Sequence, residues 1–362
     1  MVIAQPGRRA SHPAGGGLDG PGRALDRGGM TDPVALHRSL LTLDTHIDIP
    51  WPDGPPFAAE GSRRVDLPKM RRGQLAAGCF AAYVPQGRRT HDGHQAAFDR
   101  ALAMLGAIHV MAQGAARLCR TADEIRRAAA DHVTAIVPAV ENGTAIGTDI
   151  ARLNALAARG VRYVTLTHNG HNALADSAVP RADLGDAPEE HGGLSAVGLE
   201  AIAAMNRLGI LVDVSHASRR AMLAAAEASR TPIVATHSCA RALCDHPRNL
   251  DDAQLDALRD VGGVVHITAM PAFLRPGGKA ETVSCADLAD HVDYAVRRIG
   301  IAHVGLSSDF DGGGGIAGWR DAAETPNVTA ELIRRGYDAA ALAALWGGNF
   351  LRLLRRAEQA AA

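Results

Sequence analysis

Eight short apolar runs, alternating with segments of helical periodicity, constrain this chain more than any other feature. The runs are Leu40–Ile47, Gly78–Val84, Thr134–Val140, Val161–Thr167, Ile210–Ser215, Pro232–Thr236, Gly263–Thr268 and His303–Ser308. Several are continuously apolar, as expected for parallel strands covered on both faces. Between them lie amphipathic segments at Ala96–Gln113, Thr121–Asp131, Asp149–Arg159, Ser195–Leu208, Ala217–Ala228, Asp251–Asp260 and Ser284–Ile299. This alternation predicts an α/β fold, a (β/α)₈ TIM barrel, occupying residues 31–362 as one domain. The rival, a doubly wound open sheet, usually carries a glycine-rich phosphate turn after its first strand. Here that position reads Thr45-His46-Ile47-Asp48, which is no such turn.

Composition narrows the function classes. With 38 basic and 39 acidic residues the formal charge is −1, so neither nucleic acid nor an anionic membrane is an expected partner. The five cysteines, Cys79, Cys119, Cys239, Cys244 and Cys285, are odd in number and form no Cys-x-x-Cys pair. They read as small apolar fillers, with a cytoplasmic location as the simplest setting. No apolar run is long enough to span a bilayer. Neither a signal-peptide core nor a hydrophobic tail for a lipid anchor is expected. Residues 1–30 are rich in Gly, Pro, Arg and Ala without periodicity and are expected to be a disordered extension. Met30 precedes Thr31-Asp32-Pro33, a helix-start signature, so translation from Met30 is an expectation too.

The predicted strand ends carry the chemistry. The first strand ends in His46 and Asp48, the third in Glu141, the fourth in His168, the fifth in His216, the sixth in His237 and the eighth in Asp309. In a barrel these ends converge on one mouth, where active sites sit. His46 and Asp48, at i and i+2 on a strand, point the same way and can reach one ion. An isolated His-x-Asp is common by chance; His216 and His237 at equivalent places on later strands make chance a poor account. Imidazole with carboxylate suits Zn²⁺. Glu141 follows an apolar run and requires a partner or a metal. Being bidentate, it can bridge two ions about 3.5 Å apart.

At this point the chain resembles the membrane (renal) dipeptidases and their soluble bacterial relatives, a branch of the metal-dependent amidohydrolase barrels. The resemblance rests on Asp44-Thr45-His46-Ile47-Asp48-Ile49-Pro50-Trp51, Val140-Glu141-Asn142-Gly143 and Thr165-Leu166-Thr167-His168-Asn169. It continues through Asp213-Val214-Ser215-His216, Thr236-His237-Ser238, Arg248-Asn249-Leu250, Ser308-Asp309-Phe310-Asp311-Gly312 and Gly347-Gly348-Asn349-Phe350-Leu351-Arg352. It implies a dipeptidase with two zinc ions per subunit, His46 and Asp48 on one, His216 and His237 on the other, and Glu141 between them. It further implies hydrolysis by a metal-bridging hydroxide, with His168 stabilising the oxyanion. Arg248 would bind the substrate carboxylate and Asp309 would handle the proton passed to the leaving amine. Relatives often accept a D-residue at the second position and are often homodimers; the residues themselves leave both open. Two departures stand out. Ser307-Ser308 replaces glycines carried by many relatives, and the cysteines do not recreate the disulfides of secreted members.

Two other readings compete. Deamination or lactone opening on a related barrel usually begins with His-x-His on the first strand, not His-x-Asp. A non-catalytic binding barrel would be marked by loss of a ligand or of Asp309, and none is lost. Among the remaining histidines, His266 at the seventh strand end reads as a strand-end polar group or a support for another residue. His91 and His94 read as part of a surface loop. Gly312–Gly315 reads as a mobile loop at the mouth, since no Lys-Ser/Thr follows to make a phosphate cradle. His171 and Asn172 carry no assignment.

Overall fold

The computed structural model describes residues 32–361, and the predicted N-terminal extension and start lie outside them. Nine strands form among the described residues: β1 Leu43–Asp48, β2 Ala77–Tyr83, β3 Ala116–Leu118, β4 Thr134–Glu141, β5 Tyr163–Thr165, β6 Leu211–Asp213, β7 Val234–Ser238, β8 Val264–Thr268 and β9 Val304–Ser307. Eight of them pair in parallel in the order β1-β2-β4-β5-β6-β7-β8-β9. The ring closes where the Asp48 amide donates to Phe310 O at 2.9 Å and the Asp309 amide to His46 O at 3.1 Å. The eight predicted runs are these eight strands. The ninth, β3, pairs only with the start of β4 and stands outside the ring; three residues are too few to leave a periodic signal.

The helices are α1 Pro33–Ser39, α2 Leu67–Arg72, α3 His91–Met111, α4 Ala122–Ala130, α5 Arg152–Ala158, α6 Ala196–Arg207, α7 Arg219–Ala228, α8 Asp252–Asp260, α9 Pro271–Leu274, α10 Cys285–Ile299, α11 Thr325–Arg334, α12 Ala339–Ala343 and α13 Asn349–Ala360. Local chemistry fixes several starts. Thr121 with Glu124 and Asp251 with Gln254 form reciprocal capping boxes on α4 and α8, satisfying amides that the helix itself leaves unpaired. The base of the barrel is covered by α13, whose Phe350, Leu351, Leu353 and Leu354 share one apolar cluster with Leu43, Leu211, Val234 and Val264 of the ring. Burying these side chains contributes roughly 1.5–3 kcal/mol each.

Three expectations are corrected or refined. His91 and His94 belong to the first turn of α3, not to a loop. Thr90 caps that helix, its hydroxyl accepting from the Gly93 amide at 3.1 Å, and a cap of this kind outweighs the polar composition of the stretch. His91 is exposed, whereas His94 is buried. Gly312–Gly315 is a hydrogen-bonded turn, with the Gly314 amide donating to Asp309 O and the Gly315 amide to Ala269 O. His266 points into the barrel, its Nδ1 3.2 Å from Ala235 O and its ring against Phe350. Burial holds its pKa down at about 3. A Cβ on Gly305 would lie 2.2 Å from this ring, so His266 is a packed interior residue that relies on a glycine neighbour.

All five cysteines are buried and free. Burial pushes the Cys239 thiol up to about 12, which suits an apolar filler.

Candidate active site

At the C-terminal ends of the strands lies a cavity of about 760 Å³, and Asp48, Glu141, His168, His216, His237, Arg248 and Asp309 all line it. His46 stands just beneath, fully buried. Every predicted site residue therefore converges on this mouth.

Glu141, the last residue of β4, is the centre of the arrangement. Its Oε1 is 3.1 Å from His216 Nε2 and 3.4 Å from His237 Nε2, while Oε2 is 3.8 Å from His46 Nε2. Three sets of side chains bring ligand atoms close enough to share an ion: His46, Glu141 and His237; Glu141, His168 and His216; and His46, Asp48 and Asp309. Glu141 is common to the first two sets and His46 to the first and third. The Glu141 distances follow the pairing implied by resemblance, and the His237 ring also packs on His46. His237 lies against His46, ring centroids 3.9 Å apart, and less closely against His216, at 5.1 Å.

Neighbouring groups decide which imidazole nitrogen faces the cavity. His46 Nδ1 is 2.9 Å from Tyr163 Oη. That hydroxyl donates to Thr45 O at 3.0 Å, so it accepts from His46, and Nε2 keeps its lone pair. His237 Nδ1 is 3.0 Å from Thr236 Oγ1, which itself donates to Asp213 Oδ2 at 2.7 Å. His216 Nδ1 is 3.2 Å from Asn169 Oδ1. Three neutral imidazoles thus present three Nε2 lone pairs, the state that metal binding needs. Burial supports the same state, lowering the pKa of all three, with the positive charge of Arg248 adding to the effect.

The carboxylates face the opposite problem. Burial raises Asp48 and Glu141 well above the usual carboxylate range, and each is raised further by the other acids, Asp309 foremost for Asp48 and Asp48 foremost for Glu141. Burial also lifts Asp309 to about 7, against the lowering effect of Arg248. Among the described residues, His46 Nε2 and Asp48 Oδ1 are buried with no hydrogen-bond partner. Crowded acids, neutral imidazoles and orphaned ligand atoms fit divalent cations, which would neutralise the first and engage the last.

The backbone is shaped to present these groups. Asn142, His216, Asp309 and Asp311 all have positive φ, between 58° and 87°. Non-glycine residues rarely adopt this region, and it clusters at functional sites. Gly312 makes room: a Cβ there would lie 2.2 Å from Asp48 Oδ2 and 2.5 Å from Asp309 Oδ1. Asp44 ties β1 to β9 below the mouth, its Oδ1 accepting from the Ser308 amide at 3.0 Å and the His46 amide at 3.2 Å.

Arg248 is almost fully buried, yet its guanidinium makes one hydrogen bond, from Nη2 to His237 O at 3.3 Å, and its Nε has no partner among the described residues. Its Cζ stacks 5.2 Å from the Phe273 ring centre. Burial lowers its pKa to about 10. The nearby Glu141 and Asp309 carboxylates favour its charged form, but its Nε is left open to a further acceptor. The His168 ring packs at 4.8 Å on Tyr83 and 4.2 Å on His216, and burial lowers its pKa to about 3, so it is neutral.

Known proteins share this arrangement of fold and sequence. The sequence profile described as "Membrane dipeptidase (Peptidase family M19)" matches residues 30–362. The chain belongs to the membrane dipeptidase family. Members of this family are metal-dependent peptidases that act on dipeptides, and the chain is a metallodipeptidase of this kind. It is 35% identical over 309 residues to the dipeptidase aclJ of Aspergillus oryzae, covering 82% of this chain and 71% of that one. Among solved structures it is similar to a probable dipeptidase, PvdM, from Pseudomonas aeruginosa, with a TM-score of 0.86, 32% identity, and 91% and 98% of the two chains covered. A metallopeptidase from Rhodobacter sphaeroides, solved with a phosphinate mimic of L-Ala-D-Ala, matches with a TM-score of 0.78, 30% identity, and 88% and 99% covered. Among the described residues no helix is long and apolar enough to cross a membrane.

The sequence reading passed over the groups that orient the family's candidate ligands here. Tyr163 sits inside an apolar strand, and a buried tyrosine hydroxyl always requires a partner; that was the available signal. Asn169, Asp213 and Thr236 lie within the family-like motifs, where spacing along the chain gives them no role of their own. His171 and Asn172 prove to brace the loop after β5. His171 Nδ1 accepts from the Ser177 amide at 2.9 Å, and Asn172 Oδ1 from the Leu174 amide at 2.8 Å.

Proposed function

We propose that this metallodipeptidase uses two zinc ions per chain, held by His46, Asp48, Glu141, His216 and His237, to hydrolyse free dipeptides, including those with a D-residue at the second position. The observation that carries the reading is Glu141, whose two oxygens are divided between His46 on one side and His216 and His237 on the other. Bound zinc supplies Lewis acidity and a hydroxide nucleophile at neutral pH. The chain's own residues do the rest. Arg248 pairs with the substrate's C-terminal carboxylate through its planar fork. Neutral His168 donates its single N–H to the carbonyl oxygen as that atom gains charge. Asp309 carries the proton that the leaving amine needs.

A cavity of about 760 Å³ has room for either configuration of the second residue, and the Rhodobacter sphaeroides relative holds an L,D mimic. A homodimer and a cytoplasmic setting belong to the same reading, the latter supported by five unpaired cysteines. The test is a panel of L,L- and L,D-dipeptides assayed with the zinc-loaded and chelator-stripped protein. Both classes should be cut, activity should vanish on stripping and return with zinc. Hydrolysis that persists without metal, or confined to N-blocked or longer peptides, would refute the proposal.

A further inference from the structure

Two arginines line the cavity, and they are built alike. Arg248 leans on the end of β7, donating to His237 O at 3.3 Å, with its Cζ 5.2 Å from the centre of Phe273. Arg100, on α3, leans on the end of β2. Its Nε donates to Tyr83 O at 3.2 Å and its Cζ lies 4.8 Å from the centre of Trp51. In both, one backbone carbonyl and one aromatic face fix the guanidinium, and no carboxylate pairs with it among the described residues. Other arginines near the mouth are spent differently. Arg89 pairs with Glu190, Arg181 with Asp183, and Arg152 donates to His94 O and Gln95 Oε1. Arg100 is half-buried and lines the cavity, so an anion bound there can reach its guanidinium and pair with it.

The ring order places the strands that support these two arginines on opposite sides of the barrel. Counting round β1-β2-β4-β5-β6-β7-β8-β9, β2 and β7 are four places apart in eight. Arg100 and Arg248 therefore face each other across the mouth, with Glu141 between their strands. A dipeptide whose C-terminal carboxylate sits on Arg248, with its scissile carbonyl over the Glu141 centre, directs its amino-terminal residue toward β2 and Arg100.

From this we infer that Arg100 reads a carboxylate on the side chain of the amino-terminal residue, making Glu-Xaa and Asp-Xaa dipeptides the preferred substrate class. The inference rests on the assignment of Arg248 and the metal centre proposed above. A guanidinium holds a carboxylate through a charge-assisted pair and a carboxamide only through neutral hydrogen bonds.

The experiment compares kcat/KM for Glu-Ala, Gln-Ala and Ala-Glu on the zinc-loaded full chain, wild type, Arg100→Ala and Arg100→Glu. Glu-Ala should exceed Gln-Ala by on the order of 10-fold or more in the wild type. That ratio should collapse toward one in Arg100→Ala and fall below one in Arg100→Glu. Because the two substrates differ only at one terminal group, damage to the Trp51 and Tyr83 wall would slow both and leave their ratio standing. A wild-type ratio near one, a ratio that survives Arg100→Ala, or an acid preference confined to Ala-Glu would overturn the inference while Gln-Ala hydrolysis upholds the dipeptidase reading. If no free dipeptide is cut, both fall together.

Discussion

The base and the mouth of the barrel make similar left-handed turns with different residues. At the base, helix gives way to strand through glycines such as Gly160 (φ +86°) and Gly209 (φ +66°), which adopt this conformation without a Cβ penalty. At the mouth positive φ is imposed on Asn142, His216, Asp309 and Asp311, all bearing a Cβ, and His216 carries most of the cost, about 1–2 kcal/mol, since Asn and Asp tolerate it better. The base contains residues suited to their conformation, although Gln74 and His132 are exceptions there. The mouth holds strained backbone, crowded acids, an underpaired arginine and orphaned ligand atoms. Stability is concentrated at one end, and the other end is organised around groups that only a metal and a substrate complete.

The largest effect that would break this contrast is at Arg248. Arg248→Met should cost about 1.5–3 kcal/mol of transition-state binding, roughly 10- to 150-fold in kcat/KM on free dipeptides. Zinc content should be unchanged, and the gap between a dipeptide and its C-terminal amide should shrink. If the variant keeps the wild-type gap, another residue reads the carboxylate.

Next comes Tyr163, which fixes the His46 tautomer from within the core. Tyr163→Phe keeps the ring and removes the hydroxyl. Loss of such a supporting partner typically weakens metal affinity about 10- to 100-fold. Competition against a chelating dye measures it. An unchanged zinc affinity would show that Tyr163 serves packing alone.

The smallest effect is at the base. Gly209→Ala places a Cβ on a residue at φ +66°, for about 1–2 kcal/mol and a drop in Tm on the order of 2 °C, with kcat/KM unaltered. Gly209→Asn should lose less, since Asn tolerates this region. A variant that keeps its Tm but loses activity would erase the distinction between the two ends.

Much of this was legible before any coordinates. Buried parallel strands read as apolar runs, so the eight ring strands stand out, and the ligand types sit at their ends because barrel geometry leaves them nowhere else to converge. Elements without a pattern were not legible. β3 is too short, and α3 starts at His91 because of one threonine cap that a polar, charged stretch conceals. The packing of the His237 ring on His46 depends on ring positions in space, which spacing along the chain does not encode. Arg100 was invisible for the same reason. Only folding shows that it lies opposite Arg248 without a carboxylate of its own.

The central claim is that Glu141 joins two metal ions at the mouth. Elemental analysis of the zinc-loaded, desalted protein, wild type beside Glu141→Gln, tests it most directly. The account predicts two zinc ions per wild-type chain, because five ligands, one of them a shared carboxylate, exceed what one tetrahedral ion takes. It predicts at most one ion in the variant, with dipeptide hydrolysis lost. One ion per wild-type chain at full activity, or two ions and near-normal turnover in Glu141→Gln, would contradict it.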